Sequence, residues 1–171
     1  EIEELDKEGC ELARVSLPDL SLCDNFKKLI KTAHITLMAD IHFNHRLALA
    51  ALDAGCRSIR INPGNMDSHT RTLDVIKAAQ YNGAVIRIGA NGGSLNNRQI
   101  KEAGGDRAAA LVLAVDEQIR VLLDNDFDKI IISAKSSSVP ETLLANTILS
   151  GKYPFPIHIG ITEAGGGFSG V

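Results

Sequence analysis

The chain has 171 residues, of which 44% are hydrophobic and 23% are charged, and its formal net charge is −3. This composition excludes a disordered protein, and the length suffices for one domain with a hydrophobic core. The negative net charge argues against a general nucleic-acid-binding or anionic-membrane surface, so any binding of anions has to be local.

We also expect neither a transmembrane segment nor a secretory signal. The three cysteines, Cys10, Cys23 and Cys56, are scattered along the chain and form no CxxC motif. We interpret them as reduced thiols of a cytosolic-type protein, without a role in a disulfide or a metal site.

Strand patterns alternate with helix patterns along the whole chain. A partial helix, Glu1–Glu8, comes first. The predicted strands are Leu12–Leu17, Ile35–Ile41, Ser58–Asn62, Val85–Ala90, Lys129–Lys135 and Ile157–Thr162. The predicted helices between them are Ser21–Lys31, Asn44–Ala54, Ser68–Tyr81, Asp106–Leu123 and Pro140–Leu149, and a glycine-broken excursion covers Asn91–Gly105. This repetition predicts an α/β domain with a parallel sheet, either a barrel or a doubly wound sheet.

The segment from Leu37 to Asn65 is the clearest of these strand–helix–strand units. Asn44 is a predicted N-cap and Gly55 is a predicted C′ residue of its helix. The predicted buried face of that helix consists of Leu47, Ala48, Ala51 and Leu52. Because a right-handed unit has parallel strands, the polar residues that end both strands should share the carboxyl edge of the sheet. These residues are Asp40, His42, Arg60 and Asn62.

The alternation within the strands distinguishes the two architectures. Strands of a doubly wound sheet are buried on both faces and would be continuous apolar runs. Here Ile59 and Ile61 alternate with polar residues, and so do Ile86 and Ile88. We predict that the apolar set lies under the helices and that the polar set faces the interior of a barrel. A TIM-type (β/α)8 barrel needs about 250 residues. We therefore predict a partial barrel with six parallel strands, the second to the seventh.

Several polar residues near the strand ends should face the interior of that barrel. They are Arg14, Asp40, His42, Arg60, Asn62, Arg87, Ser133, Lys135, His158, Thr162 and Glu163. Four of them are cations and only two are carboxylates, so the surplus charge predicts a polyanionic ligand. Guanidinium groups suit phosphate oxygens, and the glycine-rich segment at 164–170 could add backbone N–H groups. Structural ion pairing is the alternative for the cations, and a satisfied polar core group is an equally open interpretation for Ser133 or His158.

Five ordered motifs at strand ends resemble one known family. They are ADIHF (Ala39–Phe43), RINPGN (Arg60–Asn65), RIGANGGSL (Arg87–Leu95), ISAKSS (Ile132–Ser137) and GITEAGG (Gly160–Gly166). In this order they resemble the catalytic barrel of the 4-hydroxy-3-methylbut-2-enyl diphosphate synthases, and RVSLPD (Arg14–Asp19) fits that family's second strand. The family acts in the non-mevalonate isoprenoid pathway, where it reductively opens 2-C-methyl-D-erythritol 2,4-cyclodiphosphate and removes water.

The resemblance implies roles for the strand-end residues. Arg14, Arg60, Arg87 and Lys135 would bind the diphosphate. Glu163 would act as an acid near the departing hydroxyl group. The polyol part of the substrate would be oriented by Asp40, His42, Asn62, Asn91 and Thr162, with Ser133 and His158 as further substrate-binding residues.

The resemblance also implies a cofactor and partners that these residues do not supply. The family holds a [4Fe–4S] cluster with three cysteines and a glutamate in a C-terminal domain, and it receives electrons from ferredoxin or flavodoxin. The cysteines of this chain match none of those ligand motifs, so we expect the segment alone to be inactive. The implied protein is a homodimer in the bacterial cytoplasm or the plastid stroma, in which the cluster domain of one subunit caps the barrel of the other.

Two other functions stay open at this level. One is a phosphate-ligand-binding TIM barrel of the dihydropteroate synthase type, without redox chemistry. The other, a purely structural barrel, is disfavoured by the inward-facing cations. A cysteine triplet downstream of position 171 would distinguish the reductive enzyme from the transferase.

Overall fold

The computed structural model describes residues 1–41, 44–62 and 69–163. The chain forms two compact units. The first contains Glu1–Arg87 together with Leu122–Lys129, and the second contains Ile88–Val121 and the described residues that follow position 129. None of the described helices is both long and apolar enough to cross a membrane.

The first unit contains a parallel sheet whose strands follow one another in chain order. Its strands are β1 (Leu12–Ser16), β2 (Thr36–Asp40), β3 (Ser58–Arg60) and β4 (Val85–Arg87), and every described pairing among them is parallel. Its helices are α1 (Ile2–Lys7), α2 (Cys23–Thr32), α3 (His45–Asp53) and α4 (His69–Asn82), with a 3-10 turn at Leu20–Leu22 before α2. The predicted α/β architecture with parallel strands in sequential order is confirmed here.

Helix α3 follows the predicted pattern closely. Its buried residues are Leu47, Ala48, Ala51 and Leu52, the four that were predicted. The Asn44 side chain accepts a hydrogen bond from the backbone N–H of Arg46, which satisfies one of the donors at the helix start. After the helix, Gly55 has a φ of +96°, a conformation that costs glycine little and other residues more. The predicted N-cap and C′ residues are both confirmed.

The apolar set of the central strands forms the core of the first unit. Ile59 and Ile86 are fully buried, and Ile61 is 1% exposed. These side chains alternate with the polar residues of the same strands, as the period of two in a β-strand requires. The predicted division of these strands into an apolar and a polar face is therefore confirmed.

The second unit contains shorter strands. In chain order it has β5 (Ala90–Asn91), a 3-10 turn (Gly92–Ser94), α5 (Asn97–Glu102), α6 (Arg107–Leu123, whose last two residues belong to the first unit), β6 (Ile130–Ile131), β7 (Ala134–Lys135) and α7 (Val139–Lys152). Strands β5 and β7 are parallel. The predicted helices agree with the observed ones within three residues at each end. Helix α5 was not predicted, although the Asn96–Gln99 capping box at its start is a signal in the sequence.

Three of the predicted strands are wrong in extent. The segment Val85–Ala90 is interrupted at Gly89, because the Gln118 side chain accepts from the Gly89 N–H and donates to its carbonyl, both at 3.2 Å. The segment Lys129–Lys135 is interrupted where Ile132 bonds instead to the backbone of Pro156 and His158.

The last predicted strand, Ile157–Thr162, is reduced to an isolated bridge between Ile157 and Ile132. After His158, the next backbone–backbone hydrogen bond among the described residues of this segment is donated by the Thr162 N–H to the Ser136 carbonyl. Ile159, between them, is 68% exposed. The predicted rule that the apolar residues of each strand lie under the helices is therefore wrong at Ile159.

Candidate functional site

A row of polar side chains ends the strands of the first unit. In the register of the parallel sheet, Ser16 is paired with Asp40, Asp40 with Arg60, and Arg60 with Arg87. Registered residues of neighbouring parallel strands lie about 4.8 Å apart and point to the same face of the sheet. One carboxylate and two guanidinium groups thus meet on adjacent strands at the carboxyl edge.

Asp40 forms ion pairs with two arginines, one on each of the neighbouring strands. Its Oδ1 lies 3.1 Å from Arg60 Nη1, and its Oδ2 lies 3.4 Å from Arg14 Nε. The Asp40 side chain is 14% exposed and that of Arg60 20%, whereas the Arg14 side chain is 51% exposed. Arg14 is registered with Met38, two residues before Asp40, so its side chain extends toward the carboxyl edge to contact the carboxylate.

Arg87 is the most deeply placed member of this group. It is only 5% exposed. The pKa of Arg87 is lowered to about 10, chiefly by burial and also by the positive charges of Arg60 and Arg14, against the opposing effect of Asp40. Arg87 therefore stays protonated at neutral pH, in surroundings that disfavour its charge.

We call Arg14, Asp40, Arg60 and Arg87 the first-unit cation cluster. It contains three guanidinium groups and one carboxylate. Guanidinium forks match the oxygens of a phosphate group, so this set of side chains suits an anionic ligand. The structure thus brings together the four predicted site residues of this cluster. Of the other predicted residues in the first unit, Asn62 is half-buried two positions after Arg60, and His42 lies outside the described residues.

In the second unit, Lys135 lies beside His158. Lys135 Nζ is 3.4 Å from His158 Nε2. A Cβ atom at Gly160 would lie only 3.0 Å from Lys135 Nζ and 3.1 Å from its Cε, so the lysine side chain runs directly over this glycine. The structure therefore brings Lys135 and His158 together. A side chain at position 160 would crowd Lys135, and glycine avoids this.

Ser133 has a different environment. It is 2% exposed, and its hydroxyl donates to the backbone carbonyl of His158 at 3.0 Å. This contact is the one that the interpretation as a satisfied polar core group predicts. A substrate-binding role for Ser133 remains a prediction.

Asn91, the registered partner of Lys135, begins the short turn after β5. Its backbone N–H donates to the Ser94 hydroxyl at 3.3 Å, and the Ser94 hydroxyl donates to the Asn91 carbonyl at 2.9 Å. Further along, Thr162 is half-buried and Glu163 is exposed. Glu163 has a φ of +58°, which is uncommon for a residue with a side chain. The glycine-rich segment at 164–170, predicted to bind phosphate, lies outside the described residues.

Sequence reasoning missed a group of side chains behind this turn. Arg107 Nη2 donates to the Gly92 carbonyl at 3.0 Å, and Arg107 Nε lies 3.5 Å from Glu141 Oε1. Glu141 Oε2 in turn accepts a 2.5 Å hydrogen bond from the hydroxyl of Ser136, which is 1% exposed. One signal for Glu141 was available, because Ser138 and Glu141 form an S-x-x-E pattern at the start of α7. No local pattern indicates Arg107.

The surroundings of the cysteine thiols can be compared with those that the ligands of an iron–sulfur cluster require. The Cys56 thiol is buried and donates to the carbonyls of Leu37 and Ser58, and that of Cys10 donates to the Leu12 carbonyl. Burial raises the pKa of Cys56, whereas cluster ligands are thiolates. Within 1–41, 44–62 and 69–163, no group of three or more cysteine, histidine or acidic residues could hold a metal ion. The described cysteines thus do not fit the cluster that the family implies.

Comparison with known proteins gives one family and a uniform set of relatives. The family model for the GcpE TIM-barrel domain matches residues 1–171. Proteins named 4-hydroxy-3-methylbut-2-en-1-yl diphosphate synthase (flavodoxin) are similar to this chain. That of Nitratidesulfovibrio vulgaris is 42% identical over 165 residues, which cover 96% of this chain and 43% of the relative.

Two further relatives carry the same name. The Listeria monocytogenes protein is 42% identical over 170 residues, which are 99% of this chain and 46% of the relative. The Magnetococcus marinus protein is 43% identical over 162 residues, which are 95% of this chain and 44% of the relative. This chain thus spans less than half of the length of these curated relatives. The family match confirms the predicted barrel fold class.

Proposed function

Because this chain belongs to the GcpE TIM-barrel domain family, we propose that it is the substrate-binding barrel of a 4-hydroxy-3-methylbut-2-enyl diphosphate synthase. The substrate of the whole protein would be 2-C-methyl-D-erythritol 2,4-cyclodiphosphate. The names of the relatives support this proposal and give no support to the alternative of a dihydropteroate-synthase-like transferase.

The first-unit cation cluster is the observation that carries the proposal. Three guanidinium groups surround one carboxylate, and the most buried of them, Arg87, has its pKa lowered to about 10. These guanidinium groups come from three neighbouring strands and lie toward the carboxyl edge of the sheet, where α/β barrels place their binding sites. A diphosphate presents two sets of acceptor oxygens that suit such guanidinium groups. We therefore assign Arg14, Arg60 and Arg87 to the diphosphate of the substrate.

We also propose substrate-binding roles for residues of the second unit. Lys135 is proposed as a fourth cation for the diphosphate. We propose that Asn91 and Thr162 orient the polyol carbons, as Asp40, His42 and Asn62 would do from the first unit. His158, whose Nε2 lies 3.4 Å from Lys135 Nζ, is proposed as a further substrate-binding residue.

Conversion of the cyclodiphosphate to the allylic alcohol takes up two electrons and releases water. Amino-acid side chains do not supply such electrons, so we propose that flavodoxin delivers them to a [4Fe–4S] cluster bound outside residues 1–171. The part assigned to this chain is proton chemistry. Glu163, exposed at the end of the described chain, would protonate the departing hydroxyl group.

The test uses the full-length protein that contains this chain, purified and assayed without oxygen. Cyclodiphosphate and a reductant are added, and the formation of 4-hydroxy-3-methylbut-2-enyl diphosphate is followed by ³¹P NMR and mass spectrometry. We expect turnover by the wild type and loss of binding in the Arg60→Met variant. Arg57→Met is the matched control, because Arg57 precedes the same strand at its opposite end and is exposed. Absence of product from a protein loaded with its cofactor would refute the proposed function.

A further inference from the structure

We infer that Arg107, Glu141 and Ser136 form a positioning network that orients Asn91 for the reaction. This inference rests on the proposed function. None of the three side chains is a predicted substrate ligand. Arg107, however, donates to the backbone carbonyl next to Asn91, and Ser136 follows Lys135 directly in the chain. Asn91 and Lys135 are both proposed substrate ligands.

Arg107, near the start of α6, lies directly behind the turn that follows β5. Its Nη2 donates to the carbonyl of Gly92, the residue after Asn91, at 3.0 Å. A Cβ atom at Gly92 would lie 3.2 Å from Arg107 Nη2 and 3.2 Å from Ser136 Oγ. The turn thus packs tightly against both side chains, and the absence of a side chain at Gly92 permits this close approach.

Glu141 links the arginine to the strand that carries Lys135. One of its oxygens lies 3.5 Å from Arg107 Nε, and the other accepts from the Ser136 hydroxyl at 2.5 Å. Ser136 is also held by its backbone, since its N–H donates to Thr142 Oγ1 at 3.0 Å and its carbonyl accepts from the Thr162 N–H at 3.1 Å. Ser136 therefore lies between two proposed substrate ligands, Lys135 before it in the chain and Thr162 across the hydrogen bond.

The energetics favour a positioning role over a stabilising one. The side chain of Arg107 is 44% exposed and that of Glu141 is 27% exposed. Ion pairs this exposed contribute little to folding. The geometry of Asn91, in contrast, depends on the turn, because its backbone N–H donates to the Ser94 hydroxyl at 3.3 Å and its carbonyl accepts from that hydroxyl at 2.9 Å, on the far side of Gly92. A small shift of this turn would misplace the Asn91 amide, and misplacements of about 1 Å can cost a factor of about 100 in rate.

The test is a double-mutant cycle in the full-length protein. The variants are Arg107→Met, Asn91→Ala and the combination of both, with kcat expressed per calorimetrically counted cyclodiphosphate-binding site. We expect Arg107→Met to lower kcat by about tenfold or more and to change the Kd for the cyclodiphosphate by less than about threefold. In the Asn91→Ala background, the same substitution should change kcat by less than about twofold, because Arg107 acts through Asn91.

Arg98→Met is the matched control, since Arg98 is also paired with carboxylates, Glu102 at 2.9 Å and Glu117 at 2.5 Å, at an exposed position. If Arg107→Met does not fold, Glu141→Gln replaces it, because glutamine keeps the acceptor for Ser136 and removes the charge that orients Arg107. Multiplicative effects in the cycle, or an Arg107 variant that behaves like Arg98→Met, would overturn the inference alone. A wild-type protein without turnover would overturn the proposed function and this inference with it.

Discussion

Replacement of Arg87 by methionine tests separately how the buried charge affects the stability of the fold and how it affects binding of the cyclodiphosphate. Arg87 is 5% exposed, and its registered neighbour on the next strand is Arg60. Methionine replaces the aliphatic part of the arginine side chain and carries no charge. We therefore expect the Arg87→Met protein to fold at least as stably as the wild type and to lose affinity for the cyclodiphosphate.

The size of both effects follows from the surroundings of the guanidinium group. The lowering of the Arg87 pKa to about 10 corresponds to roughly 3 kcal/mol by which these surroundings disfavour the charged form. This value is an upper bound on the stabilisation, because methionine also loses the contacts of the guanidinium group. The lost charge-assisted contact to phosphate should cost about 2 kcal/mol or more, which is about a 30-fold increase in Kd.

The two effects are measured in the ligand-free full-length protein by urea denaturation and with the cyclodiphosphate by isothermal titration calorimetry. Arg57→Met again serves as the control and should leave the Kd unchanged within about twofold. A variant at position 87 that unfolds more easily than the wild type and binds as tightly would refute the reasoning. It would show that Arg87 holds the sheet together and does not bind the ligand.

Three further outcomes are expected. The lowered pKa of Arg87 means that the unfolded chain binds this proton more tightly than the folded one. The resulting destabilisation of the folded state is fully present below about pH 10 and decreases as the pH rises above the pKa of the folded state. The stability advantage of Arg87→Met should accordingly shrink between about pH 9 and about pH 11 in paired urea titrations, and an advantage that grows would contradict the sign. Gly160→Ala should displace the Lys135 side chain, which would lie 3.0 Å from the new methyl group, and raise the calorimetric Kd by about three- to tenfold at unchanged stability. Gly151→Ala, where nothing lies within 4 Å of the added atom, is its control, and equal Kd values for both variants would exclude this role of Lys135. Glu163→Gln in the full-length protein should keep cyclodiphosphate binding and lose most turnover, and a variant with wild-type kcat would remove Glu163 from the reaction.

Local periodicity explains which features were predictable. The buried face of α3 and the alternation of Ile59 with its polar neighbours depend only on the period of one helix or one strand. The strand-end position of Asp40 and Arg60 follows from the same pattern, because parallel strands place their ends at one edge. The strand lengths were less predictable. Where Gln118 binds the backbone of Gly89, a side chain 29 positions away ends the strand.

The sequence by itself determined that the strands carry their cations at one edge and that the chain shares the motifs of its family. Only the tertiary structure decided which charges meet. The register sets Asp40 between Arg14 and Arg60, and a slip of one residue would turn that row to the other face. The same holds for the contact of Arg107 with Gly92, 15 positions apart. Such contacts depend on how whole elements pack, and the free energy of packing is not contained in any short segment of the chain.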